Sequence, residues 1–157
     1  MTSTTSTTTA DSDPKTVVYD TNVLVAELAF PEERAVCLEL VESAVVELVV
    51  SDATLREFAA VLRYDHLPLP SERRATAVER VVRAARVVSP AIELAVAADP
   101  DDDAILEAAL TAGGNCVVSD DAHLRDVSGV CGIDVVPREA FLLEYQNSED
   151  DRNHLGG

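Results

Sequence analysis

The chain has 157 residues, with 29 acidic side chains against 12 basic ones and a formal charge of −17. That length suits one domain with its own core. No apolar run approaches the roughly 18 residues of a membrane span, and the acid excess removes long-range attraction for polyanions.

Lys15 is the single lysine. So large a charge destabilises a compact fold in dilute salt through self-repulsion. At 1 M salt the Debye length is about 3 Å, and that penalty largely disappears. An acidic, lysine-poor globular chain suggests a salt-loving host; the alternative is an acidic protein of an ordinary cytosol. Cys37, Cys116 and Cys131 form no CxxC pair, and Cys37 and Cys116 fall in apolar periodic segments as small hydrophobes. An odd cysteine count, with no basic region or apolar core in Met1–Ser6, points to a reducing cytoplasm.

Residues 1–15 are Thr/Ser-rich and residues 146–157 are polar, so both are expected to be disordered tails around a domain of about 16–145. Thr16–Tyr19 reads as a buried strand. Thr21–Ala29 carries apolar residues at helical spacing, and Pro31 breaks that run. Glu32–Ala44 predicts a helix and Val45–Val50 a second strand. Ser51 is a suitable N-cap for a helix running to about Tyr64. After a proline loop, Ser71 is expected to cap a helix over 72–86. Val87–Val88 reads as a short strand, and Pro90–Ala98 as a helical turn or two. Pro100–Asp102 opens a helix that Gly113–Gly114 ends. Asn115–Ser119 and Ile133–Val136 read as strands with a helical turn at Ala122–Asp126 between them, and Pro137 starts a last helix to Tyr145. Strands alternating with helices predict a three-layer α/β/α domain around a central, mostly parallel sheet of about four or five strands.

Four acids stand where separate stretches of such a fold converge. Asp20 ends the run Val17-Val18-Tyr19, and Glu57 lies just beyond the run Leu48-Val49-Val50. Asp102 opens a helix, and Asp121 follows Cys116-Val117-Val118. Residues just past the carboxyl ends of parallel strands meet in one crevice. Carboxylates gathered there repel each other and resist ionising unless a cation joins them. Hard divalent ions such as Mg²⁺ take oxygen ligands. Asp102 is preferred over Asp103 by helical phase, because Ile105, Leu106 and Ala109 follow it at +3, +4 and +7. Asp103 is left to favour the helix N-terminus. Asp99, Asp101 and Asp103 read as solvated or capping charges, and His123 as a surface residue.

The string Val17-Val18-Tyr19-Asp20-Thr21-Asn22-Val23-Leu24 resembles the opening motif of the PIN-domain nucleases. Ser51, Glu57 and Val61-Leu62 match the second motif of that family, and Asp99 to Asp103 with Ile105, Leu106 and Ala109 match the third. Val118-Ser119-Asp120-Asp121-Ala122-His123-Leu124 is similar to the fourth, with Ser where the family carries Thr. Pro137-Arg138-Glu139-Ala140-Phe141-Leu142 resembles the closing helix of a subgroup described as toxin components. The resemblance spans about residues 16–143. It implies that Asp20, Glu57, Asp102 and Asp121 are the metal-binding and catalytic acids, with Asn22, Ser119 and Asp120 as auxiliary residues. It also implies a ribonuclease that uses one or two Mg²⁺ or Mn²⁺ ions at the scissile phosphate with water as nucleophile. The expected partners are RNA, an antitoxin protein and a second copy in a homodimer.

Arg73, Arg74, Arg80, Arg83 and Arg86 fall within one short stretch. They suit an RNA backbone or salt bridges with Glu72 and Glu79. Tyr64 suits base stacking or packing. The competing non-enzymatic reading is a catalytically silent PIN-like module that binds RNA or protein. An aspartyl-phosphate phosphatase is a poor match, because that chemistry wants a second Asp two residues after the nucleophile and a lysine. Here Asp20 is followed by Thr21 and Asn22, and the expected folded core contains no lysine.

Overall fold

The computed structural model describes residues 14–30, 34–64, 67, 69–97 and 99–145. Both expected tails lie outside these residues, apart from Pro14 and Lys15. So do Pro31, His66 and the start of the helix read from Glu32.

Five strands form one sheet: β1 (Lys15–Tyr19), β2 (Val46–Ser51), β3 (Arg86–Val88), β4 (Cys116–Val118) and β5 (Asp134–Val136). Their order is β3-β2-β1-β4-β5, and every neighbouring pair is parallel. The helices are α1 (Thr21–Leu28), α2 (Val36–Glu42), α3 (Asp52–Val61), α4 (Ser71–Ala84), α5 (Pro100–Ala112) and α6 (Ala122–Arg125). A last helix, α7, covers 138–145. The chain is therefore the three-layer α/β/α domain its alternation predicts, with a wholly parallel sheet.

The strand sequences explain the layering. Side chains alternate between the faces of a strand, and a sheet covered on both sides needs apolar residues at every position. Val17, Tyr19, Leu48, Val50, Cys116 and Val118 point into one core, which α1, α2, α3, α4 and α7 close with residues such as Leu24, Leu38, Phe58, Val81 and Phe141. Val18, Val49 and Val117 point into a second core, closed by Ile105, Leu106 and Ala109 of α5 and Leu124 of α6. Val17, Leu48, Val49, Val117 and Leu106 are fully buried. Each such side chain contributes about 1.5–3 kcal/mol of apolar transfer energy, so a polar residue at any of them would break a layer. Cys37 and Cys116 are buried in the first core, as expected of small hydrophobes, and Cys131 is exposed.

Several boundaries differ from the sequence reading. Helix α3 ends at Val61 rather than near Tyr64. Helix α4 ends at Ala84, and Arg86 already belongs to β3, where it faces Val49 of β2 in the parallel register. Ser71 does not cap α4: it is the first helical residue, and Pro70 holds the cap position without a side-chain bond. The segment read as a helical turn over Pro90–Ala98 is not helical in its described residues. Its backbone donors go elsewhere. Leu94 N–H donates to Glu107 Oε2 at 2.7 Å, and Val96 and Ala97 N–H donate to Asp103 Oδ1 at 3.1 and 2.9 Å. Carboxylates on α5 thus take amides that a helix would have used internally.

Candidate active site

The sheet order reverses between β1 and β4, and the carboxyl ends of those two strands carry Asp20 and the Ser119–Asp121 turn. Chains leave such a switch point in opposite directions and open a crevice there. Asp20 is built firmly into it. Its N–H donates to Val118 O at 2.9 Å, continuing the β1–β4 ladder. Its Oδ2 accepts from Ser119 Oγ at 2.7 Å. Ser119 is fully buried, and the same Oγ accepts the N–H of Asp121 at 3.0 Å. One hydroxyl therefore ties together two of the four predicted acids across neighbouring strands. Asn22 also reaches Asp20, but through its backbone N–H at 3.5 Å to Oδ1 rather than through its side chain.

Glu57 is positioned by the start of α3. Ser51 Oγ accepts Thr54 N–H at 3.2 Å, while Thr54 Oγ1 accepts Ser51 N–H at 2.9 Å, a reciprocal cap that fixes the helix entry. Glu57 follows one turn later and is half-buried. Asp102 sits in the first turn of α5, after an Asp99 cap whose Oδ1 accepts Asp101 N–H at 2.9 Å. The predicted docking face is correct: Ile105, Leu106 and Ala109 are buried, and Asp102 is buried at the rim beside them. Asp103 does not look outward as the phase argument expected. It is buried, because the 94–97 segment folds over it and uses its carboxylate.

The electrostatics join these residues into one set. Burial pushes the Glu57 carboxyl up to about 7, with Asp101, Asp20, Asp99 and Asp102 adding to the rise. Burial pushes Asp102 up to about 6, reinforced by Asp121, Asp20, Asp99 and Asp101. Asp20 is raised first by burial and further by Asp121, against the lowering effect of the Ser119 hydroxyl and nearby N–H groups. Asp20 and Asp102 thus feel Asp121, and Glu57 feels Asp20 and Asp102, so protonation of the three raised carboxyls relieves part of the repulsion. Asp121 also caps α6, accepting His123 N–H at 2.8 Å, while His123 itself is exposed. Asp120 is turned to other work: its Oδ1 accepts the N–H of Arg138 at 3.0 Å.

The chemistry of this donor set fits a hard divalent cation, since every donor is a mutually repelling carboxylate oxygen. Thr21 Oγ1, next in the chain after Asp20, is buried without a hydrogen-bond partner among the described residues and adds an open oxygen. Among the described residues, no three His, Cys, Asp or Glu side chains stand close enough to hold a metal ion.

The arginine stretch is mostly committed to protein. Arg80 makes a two-pronged pair with Glu42 at 2.8 Å on each prong, Arg83 pairs with Glu79, and Arg86 pairs with Glu47. Arg74 donates to Leu69 O at 3.0 Å. Salt bridging therefore accounts for three of the five, with Glu42 and Glu47 in place of the expected Glu72. Tyr64 is about half exposed.

Sequence reasoning missed Glu27 and Arg138. Glu27 is 3% exposed. Its Oε2 accepts Cys37 N–H at 2.9 Å and Arg138 Nη2 at 2.9 Å, and its Oε1 accepts Leu38 N–H at 3.1 Å. The signal was present in the chain: Glu27 lies at +4 from Val23 and +3 from Leu24, on the apolar face of α1. An acid at that phase must find donors inside.

These features define an open parallel α/β domain with a carboxylate crevice at its switch point. The PIN domain family description matches residues 16–123, which hold the first three motifs and the fourth as far as His123, and the chain belongs to that family. PIN domains are generally of nuclease type. Helix α7, which carries the likeness to the toxin subgroup, lies beyond the matched stretch. No curated protein matches the chain. Among the described residues no helix is long and apolar enough to cross a membrane.

Proposed function

We propose that the protein is a metal-dependent endoribonuclease that hydrolyses RNA phosphodiester bonds, and that it is the toxin of a toxin–antitoxin pair. The single observation that carries the nuclease reading is the switch point itself, where the Ser119 hydroxyl ties Asp20 to the Asp121 backbone and Glu57 and Asp102 lie within electrostatic reach of Asp20. These four would hold Mg²⁺ or Mn²⁺. When bound, the cation supplies positive charge at the scissile phosphate and makes water a nucleophile at neutral pH.

The protein's own part is positional. The Ser119 hydroxyl keeps Asp20 and Asp121 in register. The cap at Ser51 and Thr54 aims Glu57. Glu57 and Asp102, whose carboxyls burial raises toward neutrality, would hold a cation in their ionised form. The antitoxin and the homodimer rest on the family resemblance of the closing helix; a cytoplasmic site of action rests on the cysteine argument.

The test is cleavage of structured RNA by the pure protein at high salt, with and without Mn²⁺. Wild type is expected to cut only with the metal, and Asp20→Asn to lose about 10²–10³-fold in rate, the scale of removing a preorganised electrostatic group. Metal-independent cutting, or full activity in Asp20→Asn, would overturn the reading. The competing reading is a silent PIN-like module that binds RNA or protein. RNA binding without cleavage at any Mn²⁺ concentration would select it.

A further inference from the structure

The turn that carries Ser119 and Asp121 is held from a second direction. Asp120 lies between them, yet its carboxylate accepts the backbone N–H of Arg138 at the start of α7. A carboxylate there satisfies one of the free donors of the helix N-terminus. Arg138 is itself anchored. Its Nε and Nη2 donate to Glu27 Oε2 at 3.2 and 2.9 Å. Glu27 is immovable in turn, buried and bonded to the N–H groups of Cys37 and Leu38. A second link runs in parallel, with Ser119 N–H donating to Val136 O at 2.9 Å. Three segments far apart in sequence, at residues 27, 120 and 138, thus form one chain of bonds that ends on the site turn.

We infer that Glu27, Arg138 and Asp120 are a brace for this turn, and that Asp120 positions Asp121 for cation binding rather than binding the cation itself. The inference rests on the acid crevice being a metal site. Two acids side by side in sequence then have opposite duties. Asp121 needs its negative charge. Asp120 needs only an oxygen that accepts a hydrogen bond, and an amide supplies that equally well. Arg138 and Glu27 act at one remove, by keeping the N–H that Asp120 grips in a fixed place.

The experiment measures Mn²⁺ affinity by the loss of the free-ion electron paramagnetic resonance signal, without RNA, together with hydrogen exchange at residues 119–123. Asp120→Asn is expected to bind within about threefold of wild type. Asp120→Ala is expected to bind about tenfold more weakly, the lower end for lost outer-shell support, with faster exchange at 119–123. Arg138→Gln is expected to behave as Asp120→Ala does, and Arg138→Lys to recover part of the loss. If Arg138→Gln fails to fold, the exposed Asp120 pair still decides the question. A loss in Asp120→Asn equal to that in Asp120→Ala would show that charge matters, and would overturn the brace. So would unchanged affinity in both. If wild type takes up Mn²⁺ and these patterns fail, the brace alone is wrong. If wild type takes up none, the metal-site reading falls and the brace with it.

Discussion

Replacing Glu57 by Gln keeps the shape of the side chain and removes a charge that the crevice resists. The Glu57 carboxyl rises from 4.5 to about 7, through burial first and then through its acidic neighbours. At 1.36 kcal/mol for each pH decade, full conversion would give about 3.4 kcal/mol. Glu57 is only half-buried, so solvent and salt reduce this to about 1–2 kcal/mol. The sign follows from linkage. Below pH 4.5 both folded and unfolded chains carry the proton, and the substitution changes nothing. As pH rises toward 7 the unfolded chain ionises freely while the folded chain resists, so wild type loses stability that the Gln variant keeps. Glu57→Gln should therefore be more stable at pH 8 by about 1–2 kcal/mol, or roughly 2–8 °C in melting temperature for a chain of this size. At pH 5 the gain should fall to about a quarter. Urea unfolding in EDTA at the two pH values measures both numbers. Adding Mg²⁺ should reverse the order, since wild type gains a ligand and the variant loses a donor. No gain at pH 8, or the same gain at pH 5, would refute the repulsion argument.

Three further outcomes are expected. Glu27→Ala leaves the Arg138 guanidinium and two amides without their acceptor, and should cost about 3 kcal/mol in urea unfolding, the low end for breaking a buried pair because the Arg138 side chain is partly exposed. Asp103→Ala frees the amides of Val96 and Ala97, and should raise hydrogen exchange there about tenfold with a stability loss of about 1–2 kcal/mol. Dialysis from 2 M KCl into dilute buffer should lower the melting temperature steeply if the charge of −17 belongs to a high-salt protein; an unchanged melting curve would assign the protein to ordinary cytosolic conditions.

Most of the layering was legible because burial on two faces leaves an unbroken apolar string. Val17-Val18-Tyr19 and Leu48-Val49-Val50 read as inner strands by their short length and β-branched content, and a helical pattern after each pointed to a parallel sheet. The acids at strand ends were equally plain, because Asp20 and Asp121 each close an apolar run. What stayed hidden depends on contacts between distant segments. The 90–97 segment looked helical by its own composition, and only the carboxylates of Asp103 and Glu107 draw its amides away. Glu27 looked like one more acid in an acidic chain until its partners at 37, 38 and 138 came beside it. The spacing of the four site acids was beyond the sequence for a related reason. Which strands are neighbours can be argued from alternation, but how far repulsion spreads their side chains cannot.

Glu57 and Asp102 reach the crevice from opposite sides of the sheet. Helix α3 belongs to one core, through Phe58, and helix α5 to the other, through Ile105 and Leu106. An ion gripping both carboxylates would rivet the two laminae together at their shared edge. Loading should then slow amide exchange in both layers at once, far from any ligand, and chelation should let each layer loosen by itself.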